Sequence, residues 1–221
     1  GTLYFATGNA GTCSQSETYA VSLIEVNLSD LSLIGSWQVP QNQQVSDSDF
    51  GSTPTLFQAT INGVVQSLVG LENKNGIYYT FVRGSLNNGP LWQATIAVGE
   101  IYSPSAWNGK TLFVGGGWAN ISGTSCQGAS HTGSLRAVDP ATGNFLWQDC
   151  FITGQVQGAV TVVPGVIAVG AGTALKLVAS TSGKILFTYF LTSGVFFGAT
   201  SISNGVLYIG DSKGNLYAFA P

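Results

Sequence analysis

A tryptophan recurs at one fixed interval along this 221-residue chain. Trp37, Trp92 and Trp147 lie 55 residues apart, in GSWQV, PLWQA and FLWQD, and Phe187 takes the same place in ILFTY 40 residues later. Short apolar runs such as GTLYFATG and GVLYIG recur with them. A period of about 40–55 residues built from short β-strands is typical of a β-propeller blade. The sequence therefore predicts an all-β propeller of four-stranded antiparallel blades, with the tryptophans packed between neighbouring blades.

The strands are predicted from the alternation of apolar residues and from the turn signals NKNG, PATG, STSG and DSKG, each of which separates two β runs within a blade. The chain is predicted to be a single propeller domain, 1–221, with blades near 1–45 (partial), 46–98, 99–152, 153–193 and 194–221 (partial). The innermost strands of the last three blades are expected at 103–107, 157–163 and 198–203. A propeller closes into a ring, so about four and a half blades indicate a segment of a larger propeller. The remainder of that propeller would then be a partner of this segment.

Composition excludes two classes of partner. The 44% hydrophobic content supports a core, yet no apolar run approaches the roughly 18 residues that a membrane helix needs. The net charge is −3 with seven Lys and Arg residues in total, which is far from the basic surface that nucleic acids require. We therefore expect neither a membrane span nor a nucleic-acid partner.

Three cysteines in a chain rich in Gly, Ser and Thr favour an oxidising compartment, so we expect a secreted or periplasmic protein. Cys126 and Cys150 fall in loops at the same end of one predicted blade, and we predict a disulfide between them. Cys13 is left to pair with a cysteine outside the segment. Asn27 and Asn120 begin N-x-S sequons and are candidate glycosylation sites if the host glycosylates secreted proteins.

The long polar loops are predicted to share one face of the propeller. In an antiparallel blade, the loop between the second and third strands emerges on the same face as the connection between blades. The ATGN segment ending at Asn9, the DSDFG segment at 47–51 and the turn carrying Lys74 all belong to such loops. Functional groups concentrate on loops of this kind, so the functional site is expected here, with Asp49 close to the propeller axis.

The same segments resemble a known family. SLRAVDPATGNFLWQ and GNLYAFAP are similar to the repeats of pyrroloquinoline-quinone (PQQ) propellers. ATGN, DSDFG and NKNGIYYTF, in that order, resemble loops of quinoprotein alcohol dehydrogenases and of polyvinyl-alcohol-dehydrogenase-like proteins. The resemblance implies PQQ and calcium as cofactors and hydride transfer from a small alcohol to the quinone. It also implies that Asn9 and Asp49 bind the metal, that Asn9 and Lys74 contact the cofactor, and that Asp49 is the catalytic base.

These residue types suit that chemistry. Calcium takes oxygen ligands such as an amide or carboxylate oxygen, and beside a quinone carbonyl it would act as a Lewis acid. A carboxylate within reach of the alcohol would accept the hydroxyl proton. A lysine would stabilise negative charge on the reduced cofactor. In the family, the acidic calcium ligand and the tryptophan beneath the quinone would precede Gly1.

Simpler interpretations stand beside these roles. Asn9 would cap a turn, Asp49 would accept backbone N–H bonds, and Lys74 would be an ordinary turn lysine. Propellers with such repeats also occur without a cofactor, as binding or extracellular assembly modules with a protein or polymer partner. The cofactor hypothesis predicts that Asn9, Asp49 and Lys74 converge on one pocket. A packing role predicts side chains that point apart or bind backbone, with no cavity between them.

Overall fold

A computed structural model describes residues 1–11, 17–98, 102–117, 126 and 131–221. The described residues form five antiparallel sheets in which strands that follow one another in sequence are neighbours. Three sheets have four strands, and the first and last have three. Successive sheets pack face to face through four apolar clusters, as propeller blades do. The prediction of an all-β fold built from four-stranded antiparallel blades is confirmed.

Eighteen strands are present in the described part of the chain. The first sheet contains β1 (Thr2–Ala6), β2 (Ser22–Asn27) and β3 (Leu33–Gln38). The second contains β4 (Thr55–Ile61), β5 (Val64–Glu72), β6 (Ile77–Val82) and β7 (Trp92–Thr95). The third contains β8 (Ala106–Trp107), β9 (Leu112–Gly116), β10 (Gly133–Val138) and β11 (Phe145–Phe151). The fourth contains β12 (Thr161–Val163), β13 (Val166–Ala171), β14 (Ala174–Ala179) and β15 (Ile185–Phe190). The fifth contains β16 (Ser201–Ser203), β17 (Val206–Gly210) and β18 (Leu216–Phe219). Short 3₁₀ segments lie at Gln41–Gln43 and Leu86–Asn88.

The middle strands carry the core. Every residue of β9 and β10 is buried, whereas the outer strand β15 is mostly exposed. A middle strand of a blade is covered by the neighbouring blades on both faces, which is why it reads as a continuous apolar run rather than an alternating one. The described part of the chain contains no helix long and apolar enough to cross a membrane.

The innermost strands β8, β12 and β16 begin later than the sequence predicts. Residues just before these strands bond across to the neighbouring sheet: Ser103 Oγ donates to the Gly158 carbonyl at 2.8 Å, and Val160 N donates to the Pro104 carbonyl at 2.9 Å. Since these groups are satisfied between sheets, they do not extend the ladder within a sheet. The inner segments instead hold adjacent sheets side by side.

The repeated tryptophans join each sheet to the next, as predicted. Trp92 is 9% exposed, and its Nε1 donates to the Pro140 carbonyl of the third sheet at 3.0 Å. Trp147 Nε1 donates to the Ser180 carbonyl of the fourth sheet at 3.1 Å. Trp37 packs on Tyr79 of the second sheet with ring centroids 4.9 Å apart. All three tryptophans lie on the outer strands of their sheets, and Trp37 and Trp147 are less completely buried than Trp92.

Candidate functional site

Three loops from the first two sheets meet at one place. Asn9 follows β1, the segment 47–50 precedes β4, and Lys74 follows β5. The backbone of the middle segment is attached to both of the others: Phe50 N donates to the Thr7 carbonyl and Lys74 N donates to the Asp49 carbonyl, both at 3.3 Å. The polar side chains of three loops are thereby brought to a common point.

Asp47 is the centre of this site. Its Oδ1 accepts a hydrogen bond from Asn9 Nδ2 at 2.6 Å, and its Oδ2 lies 2.8 Å from Lys74 Nζ. Lys74 Nζ also lies 2.6 Å from Asp49 Oδ1. The Asn9 amide is fixed from its other side, because its Oδ1 accepts from the Ser48 N–H at 3.0 Å. Asn9, Asp47, Asp49 and Lys74 thus form one connected group, called here the Asp47 cluster.

The turn that carries Lys74 is held by its neighbours. Asn73 is fully buried, its side-chain amide donates to the Ser48 carbonyl, and its Oδ1 accepts from Asn75 N at 3.0 Å. Asn75 Oδ1 in turn accepts from Ile77 N at 3.0 Å. Such successive Asx turns are what Asn residues favour in loops. They fix the backbone on either side of Lys74 and direct its side chain toward the two carboxylates.

Charge pairing dominates the electrostatics of the Asp47 cluster. Hydrogen bonds from Lys74 and then Asn9 lower the pKa of Asp47 to about 2. Hydrogen bonds to Asp47 and Asp49 raise the pKa of Lys74 above its usual value. The side chains of Asp47, Asp49 and Lys74 are 42%, 27% and 18% exposed, so the cluster remains open to solvent. Two carboxylates face one ammonium, which leaves one negative charge in excess.

The structure therefore brings together Asn9, Asp49 and Lys74, but by direct contact rather than around a shared cavity. An open cavity of about 540 Å³ is lined by Ala10, the residue after Asn9, and by Glu17 and Gln38. Asp49 and Lys74 are not among its lining residues. The three side chains meet, as the cofactor hypothesis predicts, but they do so by direct contact and not around a pocket. The Asn9 oxygen is engaged with backbone, as the packing role predicts, so the assignment of these residues to a cofactor site stays a prediction.

Sequence reasoning missed Asp47. Asp47 and Asp49 lie two residues apart in one short loop segment, and this D-x-D spacing was the signal that both carboxylates could reach one partner.

The donor set of the Asp47 cluster suits calcium. The Asn9 amide oxygen and the two carboxylates are the oxygen ligands that this ion prefers. Asp49 Oδ1 is shielded from solvent and receives no well-directed hydrogen bond, and its close neighbour is the Lys74 ammonium. Across the described ranges, no group of three or more His, Cys, Asp or Glu side chains is arranged as a metal site. The cation at the Asp47 cluster is thus supplied by Lys74.

The remaining predicted residues lie away from this cluster. Cys126 and Cys150 form the predicted disulfide, with their Cα atoms 5.4 Å apart. Asn27 is partly buried, and its Oδ1 accepts hydrogen bonds from Ser29 N and Oγ at 3.0 and 2.9 Å, so its glycosylation stays a prediction. Cys13 and Asn120 lie outside the described residues.

Solved structures with a similar fold include two dehydrogenases and BamB. A quinohemoprotein alcohol dehydrogenase from Pseudomonas putida superposes with a TM-score of 0.71 at 13% identity, covering 94% of this chain and 42% of its own. A europium-containing methanol dehydrogenase gives 0.72 at 14% identity, covering 94% and 48%. BamB from Moraxella catarrhalis gives 0.56 at 16% identity, covering 90% and 52%.

These similarities establish the class of fold. No protein-family model matches the chain. No curated protein matches it in sequence either. The chain spans less than half the length of the two dehydrogenases that it resembles. At such low identity the likeness shows a propeller of the kind found in quinoprotein dehydrogenases and in BamB, and nothing finer.

Proposed function

We propose that this chain is part of a PQQ- and calcium-dependent dehydrogenase that oxidises an alcohol, with the Asp47 cluster as the cofactor-facing site. The observation that carries the proposal is the meeting of Asn9, Asp49 and Lys74 from three separate loops in one charged group. Each matches the residue type that the corresponding loop carries in quinoprotein dehydrogenases. The similarity of fold supports the same assignment.

In this proposal each residue has a distinct task. When bound, PQQ would supply the hydride acceptor and calcium would polarise its carbonyl. Asn9 Oδ1 and one oxygen of Asp49 would hold the metal. The other oxygen of Asp49 would accept the proton of the alcohol hydroxyl. The Lys74 ammonium would donate hydrogen bonds to negatively charged cofactor oxygens.

The disulfide supports a location outside the reducing cytosol. Bonds such as Cys126–Cys150 persist in secreted and periplasmic proteins. A secreted or periplasmic location is therefore part of the proposal.

A second candidate function is a non-catalytic secreted propeller that binds a protein or polymer partner. The observation that favours it is the direct pairing of Lys74 with both Asp47 and Asp49, which occupies the groups that a cofactor would need. The fold of BamB is compatible with this alternative.

The test is a titration of the purified full-length protein with PQQ in the presence of calcium, followed by an alcohol-dependent dye-reduction assay. We expect saturable, calcium-dependent binding, and we expect Asp49→Asn to abolish turnover while PQQ still binds. Asp30→Asn, at an exposed turn, is the matched control and should behave as wild type. Absence of both binding and turnover in the wild-type protein would reject the dehydrogenase and leave the binding module.

A further inference from the structure

We propose that Lys74 is a built-in cation that competes with calcium for the carboxylates of the Asp47 cluster, so that metal binding releases its ammonium for an anionic cofactor. This inference rests on the metal site of the proposed function and adds a coupling between its two ligands. Because Lys74 belongs to the chain itself, the coupling involves only the protein, calcium and the cofactor.

The competition follows from the positions of the oxygens. Lys74 Nζ lies 2.8 Å from Asp47 Oδ2 and 2.6 Å from Asp49 Oδ1. A calcium ion needs protein oxygens at about 2.3–2.6 Å. Since the ammonium already contacts Asp49 Oδ1 at a similar distance, both cations cannot use that oxygen without strong repulsion. Calcium must therefore displace the ammonium from Asp49.

The side chain can leave while the turn stays in place. The backbone around Lys74 is fixed by buried Asn73 and by the Asx turn of Asn75, as described above. The lysine itself is a compact charge on a flexible four-carbon stem. Its side chain is 18% exposed, so a path toward solvent is open. Release of Lys74 then needs a rotamer change of its side chain and no rearrangement of its turn.

A released Lys74 favours an anionic second ligand. Once calcium neutralises Asp47 and Asp49, the ammonium has lost both of its ionic partners. A negatively charged quinone bound beside the Asp47 cluster would supply a new ionic partner for Lys74. Because coupling between two sites is reciprocal, calcium should tighten cofactor binding by the same factor by which the cofactor tightens calcium binding, about tenfold.

The first arm of the test measures metal binding alone. Calcium is titrated calorimetrically into the purified full-length protein as wild type, Lys74→Met and Lys184→Met. Lys184 is exposed and forms no ion pair with any described residue, so this control removes the same charge elsewhere. Lys74→Met should bind calcium about tenfold more tightly than wild type, whereas the control should stay within about twofold. Lys74→Arg, which keeps the charge, should not gain affinity.

Unchanged or weaker calcium binding by a folded Lys74→Met would overturn the competition. Circular dichroism and a thermal melt establish that the variant is folded. Lys74→Gln, which keeps a polar side chain, repeats the test if the methionine variant is not folded, and the same absence of gain would overturn the inference.

The second arm measures the coupling. PQQ is titrated with and without saturating calcium into wild type and Lys74→Met. We expect calcium to raise PQQ affinity about tenfold in wild type, and we expect most of this gain to vanish in the variant. An equal gain in both proteins would contradict the release of Lys74. If Lys74→Met gains calcium affinity but neither protein binds PQQ, the competition stands and the proposed cofactor is rejected.

Discussion

Replacing Gly143 by alanine tests how the blades are joined. Gly143 ends the PATG turn of the third sheet with a φ of +78°. A Cβ at this position would lie 2.6 Å from Cε3 of Trp92, whose ring is fixed by the hydrogen bond from its Nε1 to the Pro140 carbonyl. The turn of one sheet is therefore stacked directly on the tryptophan of the preceding sheet, with no space for a methyl group.

Two costs add in Gly143→Ala. The left-handed backbone costs an L-residue about 1–2 kcal/mol. Forcing a methyl group against a well-packed ring adds about 1–3 kcal/mol. Gly165→Ala is the matched control, because Gly165 has a φ of +85° with nothing within 4 Å of the added Cβ. The control should lose only the backbone part of the free energy of unfolding.

The assay is equilibrium urea unfolding followed by far-ultraviolet circular dichroism. We expect Gly143→Ala to be about 1–3 kcal/mol less stable than Gly165→Ala. This difference in stability should disappear when each glycine is replaced separately in the Trp92→Ala protein, since position 143 then has no indole ring beside it. Equal losses in the two single variants would refute the stacking of Gly143 on Trp92.

Three further predictions concern stability. Trp92→Ala should lower the free energy of unfolding by about 3–5 kcal/mol in the same urea assay, as for a large core truncation, and a loss below about 1 kcal/mol would place the ring outside the core. Cys150→Ser should cost about 3 kcal/mol by opening the loop closed by Cys126, and equal unfolding midpoints of oxidised and reduced wild type would reject this. Burial raises the pKa of the Glu72 carboxyl well above its usual range, although the positive charge of Arg136 acts to lower it. Its proton is thus held more tightly in the folded state, so the contribution to stability is present below about pH 4.5 and is lost as pH rises through the raised pKa. The unfolding free energy of wild type minus that of Glu72→Gln should fall with rising pH, and a pH-independent difference would contradict the prediction.

Much of the fold could be predicted because its signals are local. The turn sequences and the fixed interval between Trp37, Trp92 and Trp147 depend on neighbouring residues and on one repeated packing contact. The late start of β8, β12 and β16 was not predictable in this way. It depends on bonds such as Val160 N to the Pro104 carbonyl, which join residues of different sheets.

The candidate site divides along the same line. The types of Asn9, Asp49 and Lys74 could be matched to loops of a known family, since each lies in a short recognisable segment. Their mutual pairing through Asp47 depends on how loops of two sheets meet. Local reasoning does not detect it, because Asp47 and Lys74 are separated by 27 positions in the sequence. The burial of Glu72 could not be predicted either, because a carboxylate at the end of a strand is usually at the surface, and here the neighbouring sheet buries it.

The most direct test of the cofactor site is a crystal structure of the full-length protein grown with PQQ and calcium. The account predicts a calcium ion at about 2.3–2.6 Å from Asn9 Oδ1 and from an oxygen of Asp49, located by its anomalous signal. It also predicts that Lys74 Nζ has left Asp49 and contacts an oxygen of the quinone. A structure in which Lys74 still bridges Asp47 and Asp49, with the quinone absent or bound elsewhere, would contradict it.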